Sequence, residues 1–188
     1  MGIDWSFISQ LEGGRRLAGY VPAAVFSQSG VTVATGCDLG QRSRAEIDAL
    51  EIPEALKAKL RPYAGLKTVQ AEATLRERPL TLTETEAEAL DEAVKKPIVD
   101  ALASRYDAAV ANVPGRLPFA ELPEPAQTAI ASVAFQYGPN LPARTPRFWQ
   151  AATGQDWVRA VHELRNFGDA YPTRRRREAD LLETVATV

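Results

Sequence analysis

Leu11-Glu12-Gly13-Gly14, followed downstream by Ser29-Gly30-Val31-Thr32-Val33-Ala34-Thr35-Gly36-Cys37-Asp38-Leu39-Gly40, is the stretch from which the fold is read. Ahead of it, Asp4 is placed to cap a first helix whose apolar positions Trp5, Ile8 and Leu11 recur at helical spacing, and the glycine pair stops that helix. Glu12 therefore falls on the last turn of a short helix. Beyond it, Tyr20-Val21 and the β-branched run Val31-Thr32-Val33-Ala34-Thr35, entered through the turn signal Gln28-Ser29-Gly30, predict a hairpin of two or three short strands.

From residue 43 onward the apolar period changes from two to about three and a half. Ser43 with Glu46 reads as a capping box opening a short helix to about Leu50, and Pro53 suits the first turn of another through Leu60. A weaker helix over 68–77 is closed by Pro79. Thr83 with Glu86 is a second capping box, opening a long helix with Ala87, Leu90, Val94, Ile98, Leu102 and Tyr106 on one side. Pro97 lies inside it and predicts a kink or break, because proline lacks the amide hydrogen and crowds the preceding turn. After a Pro- and Gly-punctuated loop at 112–123 come an apolar helix from Pro123 to Gln136, a short segment at 146–152, a helix at 155–166 and a last helix for which Thr173 is the expected N-cap. The expected class is α+β and mostly helical, with a small N-terminal antiparallel sheet and a helical C-terminal lobe. One domain over 1–188 is expected, with a small lobe at about 14–80, a long connecting helix at about 83–111, and a helical lobe at about 112–188 that includes the N-terminal helix.

Composition removes several chemistries. The chain holds one cysteine, Cys37, and one histidine, His162, so it forms no internal disulfide and no four-ligand Cys/His zinc site. No metal and no cofactor is expected. Thiol and imidazole mechanisms are disfavoured, which leaves hydrolytic chemistry to carboxylates. The net charge of −2 gives no electrostatic footprint for nucleic acid. No run approaches the 18 apolar residues of a membrane span, and the N-terminus lacks the basic and apolar regions of a signal peptide. Synthesis in the cytoplasm and a monomeric state are expected.

The opening stretch resembles the phage-type lysozymes, with a Glu-Gly at the end of the first helix and then a strand containing Gly-x-Thr-x-Gly-x-Gly. Three further segments continue the resemblance in order: Thr83-Glu84-Thr85-Glu86-Ala87-Glu88-Ala89-Leu90, Ala129-Ile130-Ala131-Ser132-Val133-Ala134-Phe135-Gln136-Tyr137-Gly138, and Tyr171-Pro172-Thr173-Arg174-Arg175-Arg176-Arg177-Glu178. Phage enzymes place an Asp between the Glu and the Thr strand. Here Val21 stands at that position, and Asp38 follows six residues after Thr32, an arrangement similar to the pesticin-type branch of the family.

The resemblance implies a lysozyme-like two-lobed fold and a muramidase cleaving the β-1,4 bond between N-acetylmuramic acid and N-acetylglucosamine of bacterial peptidoglycan. By the same resemblance Glu12 is the general acid, Thr32 and Asp38 position or activate water, Gln136 lines the site, and Arg174 pairs with the catalytic glutamate. Cleavage of a glycosidic bond needs an acid for the leaving oxygen and a carboxylate for water or for the oxocarbenium-like centre. On the residues alone the alternatives stay open: Glu12 as a surface helix-end carboxylate, Thr32 as the outward residue of a half-buried strand, Asp38 as the cap of a turn before Leu39-Gly40. A lytic transglycosylase and an inactive glycan-binding module are the competing functions.

The arginines at 174–177 point in different directions on a helix, so they do not form a nucleic-acid patch. His162 is expected at the surface or core edge, Cys37 as a small buried residue, and Trp5, Trp149 and Trp157 as core anchors. The resemblance places the protein's action at the cell wall, in the periplasm or outside the cell, with an immunity protein or a release or secretion apparatus as expected partners.

Overall fold

The computed structural model describes residues 2–22 and 29–186. Gln28 of the expected turn signal lies outside the described residues. The chain divides into two compact units, one of 9–95 and one of 1–8 with 96–188. The division falls inside the first helix and inside the long one.

In the unit of 9–95, helix α1 (Trp5–Leu11) gives way to strand β1 (Arg16–Tyr20), followed by β2 (Thr32–Ala34) and β3 (Cys37–Asp38). The three strands form one antiparallel sheet in the order β1-β2-β3, as the β-branched run predicts. Thr32 pairs with Asp38 and Val33 with Cys37 across β2 and β3. The segment 80–82 adds to the outer edge of β1: the Gly19 amide donates to the Leu80 carbonyl and the Leu82 amide to that of Leu17, both at 2.9 Å. Those bonds satisfy a strand edge that would otherwise be open to another chain. Helices α2 (Arg44–Asp48), α3 (Glu54–Leu60) and α4 (Thr68–Glu77) then pack over the sheet's apolar side chains. The Ser43–Glu46 capping box forms in full.

Helix α5 (Glu84–Val110) opens on the Thr83–Glu86 box, with the Thr83 amide donating to Glu86 Oε2 at 2.9 Å and the Glu86 amide to Thr83 Oγ1 at 3.2 Å. Of the kink or break expected at Pro97, the break does not occur: the proline sits inside one continuous helix. A proline within a long helix forfeits one amide bond, which buried apolar positions on either side outweigh: Leu90 in one unit and Leu102 in the other are fully buried.

The other unit holds the beginning of α1, the remainder of α5, and α6 (Glu124–Tyr137), α7 (Leu141–Arg144), α8 (Pro146–Thr153), α9 (Trp157–Arg165) and α10 (Pro172–Ala186). Asp4 caps α1 as expected, accepting the Phe7 amide at 2.9 Å, while its own amide donates to the Thr128 hydroxyl of α6. Residues 126–134 of α6 are all buried, so this helix is enclosed on every side, its polar Gln127, Thr128 and Ser132 hydrogen-bonded, and it forms the middle of the core. Around it lie Tyr106, Phe119, Phe148, Leu164 and Leu182. Trp149 meets Tyr106 edge-on at 5.9 Å and Trp5 packs on Phe135, which makes both core anchors. Helix α10 begins at Pro172, one residue before the expected cap, because the fixed φ of proline suits a first helical turn.

Candidate active site

The last turn of α1 closes with the Glu12 and Gly14 amides both donating to the Ser9 carbonyl, at 3.0 and 2.9 Å. Gly13 and Gly14 follow with φ of +93° and +87°, which a side chain would resist, and the chain turns into β1. Three side chains of this short segment are tied down within the unit of 9–95. Ser9 Oγ shares a hydrogen bond of 2.9 Å with Thr35 Oγ1. Glu12 Oε2 accepts from Lys95 Nζ at 2.8 Å. Arg15 Nε donates to Asp91 Oδ2 at 3.1 Å, and its Nη1 lies 3.5 Å from Glu84.

Asp91 and Lys95 stand one helical turn apart on α5, so they face the same way. Asp91 accepts the Thr35 amide through Oδ1 at 2.9 Å and the Thr35 hydroxyl through Oδ2 at 2.6 Å. These bonds hold Thr35 next to Ala34, whose φ of +54° is a left-handed conformation that costs a non-glycine residue about 1 kcal/mol. The polar cluster Ser9, Thr35, Asp91 and Arg15 thus offsets local strain in the β2–β3 turn while fixing the segment that carries Glu12.

Thr32 and Asp38 lie opposite each other on β2 and β3. The Thr32 hydroxyl is buried and donates to the Gly30 carbonyl, two residues before it, at 3.3 Å. Asp38 Oδ1 accepts two amides, from Gly30 and Gly40, each at 2.9 Å, and so caps the 3-10 turn over 39–41. Those glycines touch. A Cβ on Gly30 would come within 2.5 Å of the Gly40 Cα and 2.3 Å of the Leu66 carbonyl oxygen. Asp38 therefore pins a close backbone crossing and also faces a cavity of about 400 Å³, whose other walls include Thr35, Arg42, Glu46, Asp91 and Lys95. Cys37 is buried beside them. Burial pushes its thiol up despite the opposing Arg42 guanidinium, so it lacks the thiolate character of a nucleophile.

Gln136 and Arg174 belong to the other unit. There Arg174 Nε donates to Glu178 Oε1 at 3.1 Å, and its Nη2 to the carbonyl and hydroxyl of Ser132 at 3.1 and 3.0 Å. Gln136 Oε1 accepts from Arg175, whose guanidinium also meets Glu178 and Asp169 and stacks over the Phe167 ring at 4.5 Å. Of the four consecutive arginines, Arg174 and Arg175 are buried on acids and Arg176 is exposed, so the run presents no single basic face. His162 is exposed. Among the described residues no group of three or more His, Cys, Asp or Glu side chains is placed to hold a metal ion, and no helix is long and apolar enough to cross a membrane.

Sequence reading singled out Glu12, Thr32 and Asp38 and missed Ser9, Arg15, Thr35, Asp91 and Lys95, all in the same unit. A signal for two of them was present. Asp91 follows Ala87 by four residues and Lys95 follows Asp91 by four, which puts charges at the edge of the apolar stripe of α5. Both residues are buried, and a buried charge on a helix face needs a partner.

Residues 2–158 match the family model described as pesticin, a bacterial toxin homologue of phage lysozyme, C-terminal part. Glu12, Thr32, Asp38 and Gln136 lie inside that span and Arg174 beyond it. The structure is similar to the crystal structure of the active form of the P1 phage endolysin Lyz, with a TM-score of 0.52 and 16% identity over 98% of this chain and 86% of that one. At that identity the likeness is one of fold, and it agrees with a mostly helical α+β chain carrying a small antiparallel sheet. No curated protein sequence matches the chain.

Proposed function

From the premise that this chain belongs to the pesticin family of phage-lysozyme homologues, we propose that it is a peptidoglycan hydrolase, a muramidase cutting the β-1,4 bond between N-acetylmuramic acid and N-acetylglucosamine. The observation that carries the reading is the seating of Glu12, at a helix end followed by two left-handed glycines, with its carboxylate held at 2.8 Å by Lys95, itself on the wall of a polar cavity.

In this reading the Glu12 carboxyl gives its proton to the leaving glycosidic oxygen, and Asp38, with Thr32 beside it in register, orients the water that attacks the sugar. Asp38 uses one oxygen, Oδ1, for both of its amide bonds. Its structural task and a task at water thus fall on different atoms. Attack by water opposite the acid inverts the anomeric centre. The substrate is the bacterial cell wall, which places action in the periplasm or outside the cell.

The test is hydrolysis of purified peptidoglycan, followed by turbidity and by released reducing ends. Loss of Glu12 as a proton donor in Glu12→Gln is expected to cost about 10²- to 10⁴-fold in rate; equal rates for variant and wild type would sink the assignment. The double engagement of Asp38 by backbone amides favours a second reading, a lytic transglycosylase, for which one acid suffices. Under that reading the products carry 1,6-anhydro ends by mass spectrometry in place of reducing ends.

A further inference from the structure

Lys95 is not among the residues that the family resemblance assigns to the site. Its ammonium nevertheless makes the ion pair on Glu12 at 2.8 Å, with the two side chains 11% and 23% exposed. The lysine end of the pair is buried while Glu12 reaches solvent, and a charge-assisted bond with one buried partner is shorter and stronger than a neutral one. Lys95 also lines the same cavity as Asp38. Its helix is registered to the Glu12 segment on both sides: one turn earlier Asp91 holds Arg15 directly and holds Ser9 through Thr35.

We propose that Lys95 is a positioning residue for the Glu12 carboxyl, holding Oε2 and stabilising the negative charge that appears on Glu12 as it acts. The inference rests on the muramidase reading. In that step the proton leaves Glu12 for the glycosidic oxygen as the C1–O bond breaks with its electron pair on that oxygen. The oxygen of a water bonds to C1 and its proton passes to Asp38. Glu12 becomes a carboxylate during the step. In the protonated form that reacts, the ammonium faces a neutral carboxyl, and as the proton leaves it faces a carboxylate, so at hydrogen-bond distance it is bound more strongly in the transition state than in that ground state, which is the condition for an effect on kcat.

The test uses the full chain with soluble peptidoglycan fragments, so that kcat and KM separate. For Lys95→Met, kcat is expected to fall on the order of 100-fold with KM within about twofold, the size seen when one preorganised donor is removed. Lys95→Arg keeps a cation there and is expected to stay within about tenfold of wild type, since an arginine donor is displaced and not lost. Lys95→Cys treated with 2-bromoethylamine rebuilds a lysine-like ammonium and is expected to recover most of the lost kcat, Cys37 being buried from the reagent.

A wild-type kcat in Lys95→Met overturns the proposal, and so does a loss carried by KM. A loss of kcat that neither arginine nor aminoethylation relieves overturns it as well, since it marks a structural role. If Lys95→Met does not fold, the arginine and aminoethyl variants decide by the same criterion. Wild-type protein that releases no reducing ends, with Glu12→Gln indistinguishable from it, defeats the muramidase reading and this inference with it. An active wild type, an inactive Glu12→Gln and an unimpaired Lys95→Met defeat this inference alone.

Discussion

The Asp91 carboxylate grips Thr35 twice, through the backbone amide at 2.9 Å and the side-chain hydroxyl at 2.6 Å, across 56 residues of chain. Because Thr35 in turn bonds Ser9 and Asp91 bonds Arg15, one buried carboxylate joins α1, the β2–β3 turn and α5 within the unit of 9–95. Removing it leaves the Thr35 amide without its acceptor, the Thr35 hydroxyl with Ser9 alone and the Arg15 guanidinium with the exposed Glu84 alone. Asp91→Ala is expected to destabilise the protein by about 3 kcal/mol, the range for breaking a buried charged network. Asp91→Asn keeps one acceptor oxygen and is expected to cost less. Urea denaturation of the two variants checks this, and an Ala variant within 0.5 kcal/mol of wild type, roughly the scatter of neutral surface changes, would contradict it.

Asp38 allows its structural and chemical tasks to be separated. Asparagine retains the Oδ1 acceptor for the Gly30 and Gly40 amides, whereas alanine leaves both amides unmet. Asp38→Ala is accordingly expected to lose about 1–3 kcal/mol of stability and Asp38→Asn much less. If the carboxylate works on water, Asp38→Asn nonetheless loses muramidase activity while its thermal midpoint stays close to that of wild type. Full activity in Asp38→Asn would reduce the residue to the turn cap that it visibly is.

These contrasts show which parts of the molecule were legible in the chain. The capping boxes at Ser43–Glu46 and Thr83–Glu86, the glycine stop after Glu12 and the β-branched strand all formed, because each is decided by neighbours a few residues apart. Lys95 and Asp91 escaped since their partners lie 83 and 56 positions away. Thr35 read as one more strand residue, its value lying in a hydroxyl aimed at another element. The 80–82 edge carries only a short alternation of leucine and threonine, too brief beside Pro79 to read as a strand, and pairs with β1. In the arginine run, helical geometry correctly dispersed the four side chains. That Glu178 would be fully buried between two of them was not visible, because a glutamate on a polar helix reads as solvent-facing.

Asp169 gives the fold an acid sensitivity with a defined sign. Burial pushes its carboxyl up, but the Tyr137 hydroxyl, the Arg175 guanidinium and the Tyr171 amide together outweigh burial and hold it below the usual aspartate value. A group ionised more readily in the folded state stabilises that state above its unfolded value of about 4, and the contribution is lost as pH falls through the lower folded value. Asp169→Asn is therefore expected to lower the thermal midpoint at pH 7 and to converge on wild type as pH is lowered through the depressed folded-state value of Asp169. A gap between the two melting curves that stays constant from pH 7 to below that value would show that Asp169 acts by packing alone.

The crossing that Asp38 pins predicts a sharp difference between two glycines of the same sheet region. At Gly30 a methyl group would sit 2.3 Å from the Leu66 carbonyl oxygen and 2.5 Å from the Gly40 Cα, and neither is a side chain that can swing away. Relief requires the β2 entry to separate from the 39–41 turn, which breaks the Asp38 amide bonds in the process. At Gly36 a methyl group meets nothing within 4 Å, and the cost is confined to a φ of +78°. Gly36→Ala is expected to lose about 1 kcal/mol, the penalty for a left-handed alanine. Gly30→Ala is expected to lose upwards of about 3 kcal/mol through overpacking and orphaned amides. Paired urea titrations read the difference directly. The reverse order of stability would mean that the Gly30–Gly40 contact opens at little cost, and the structural role given to Asp38 would fail with it.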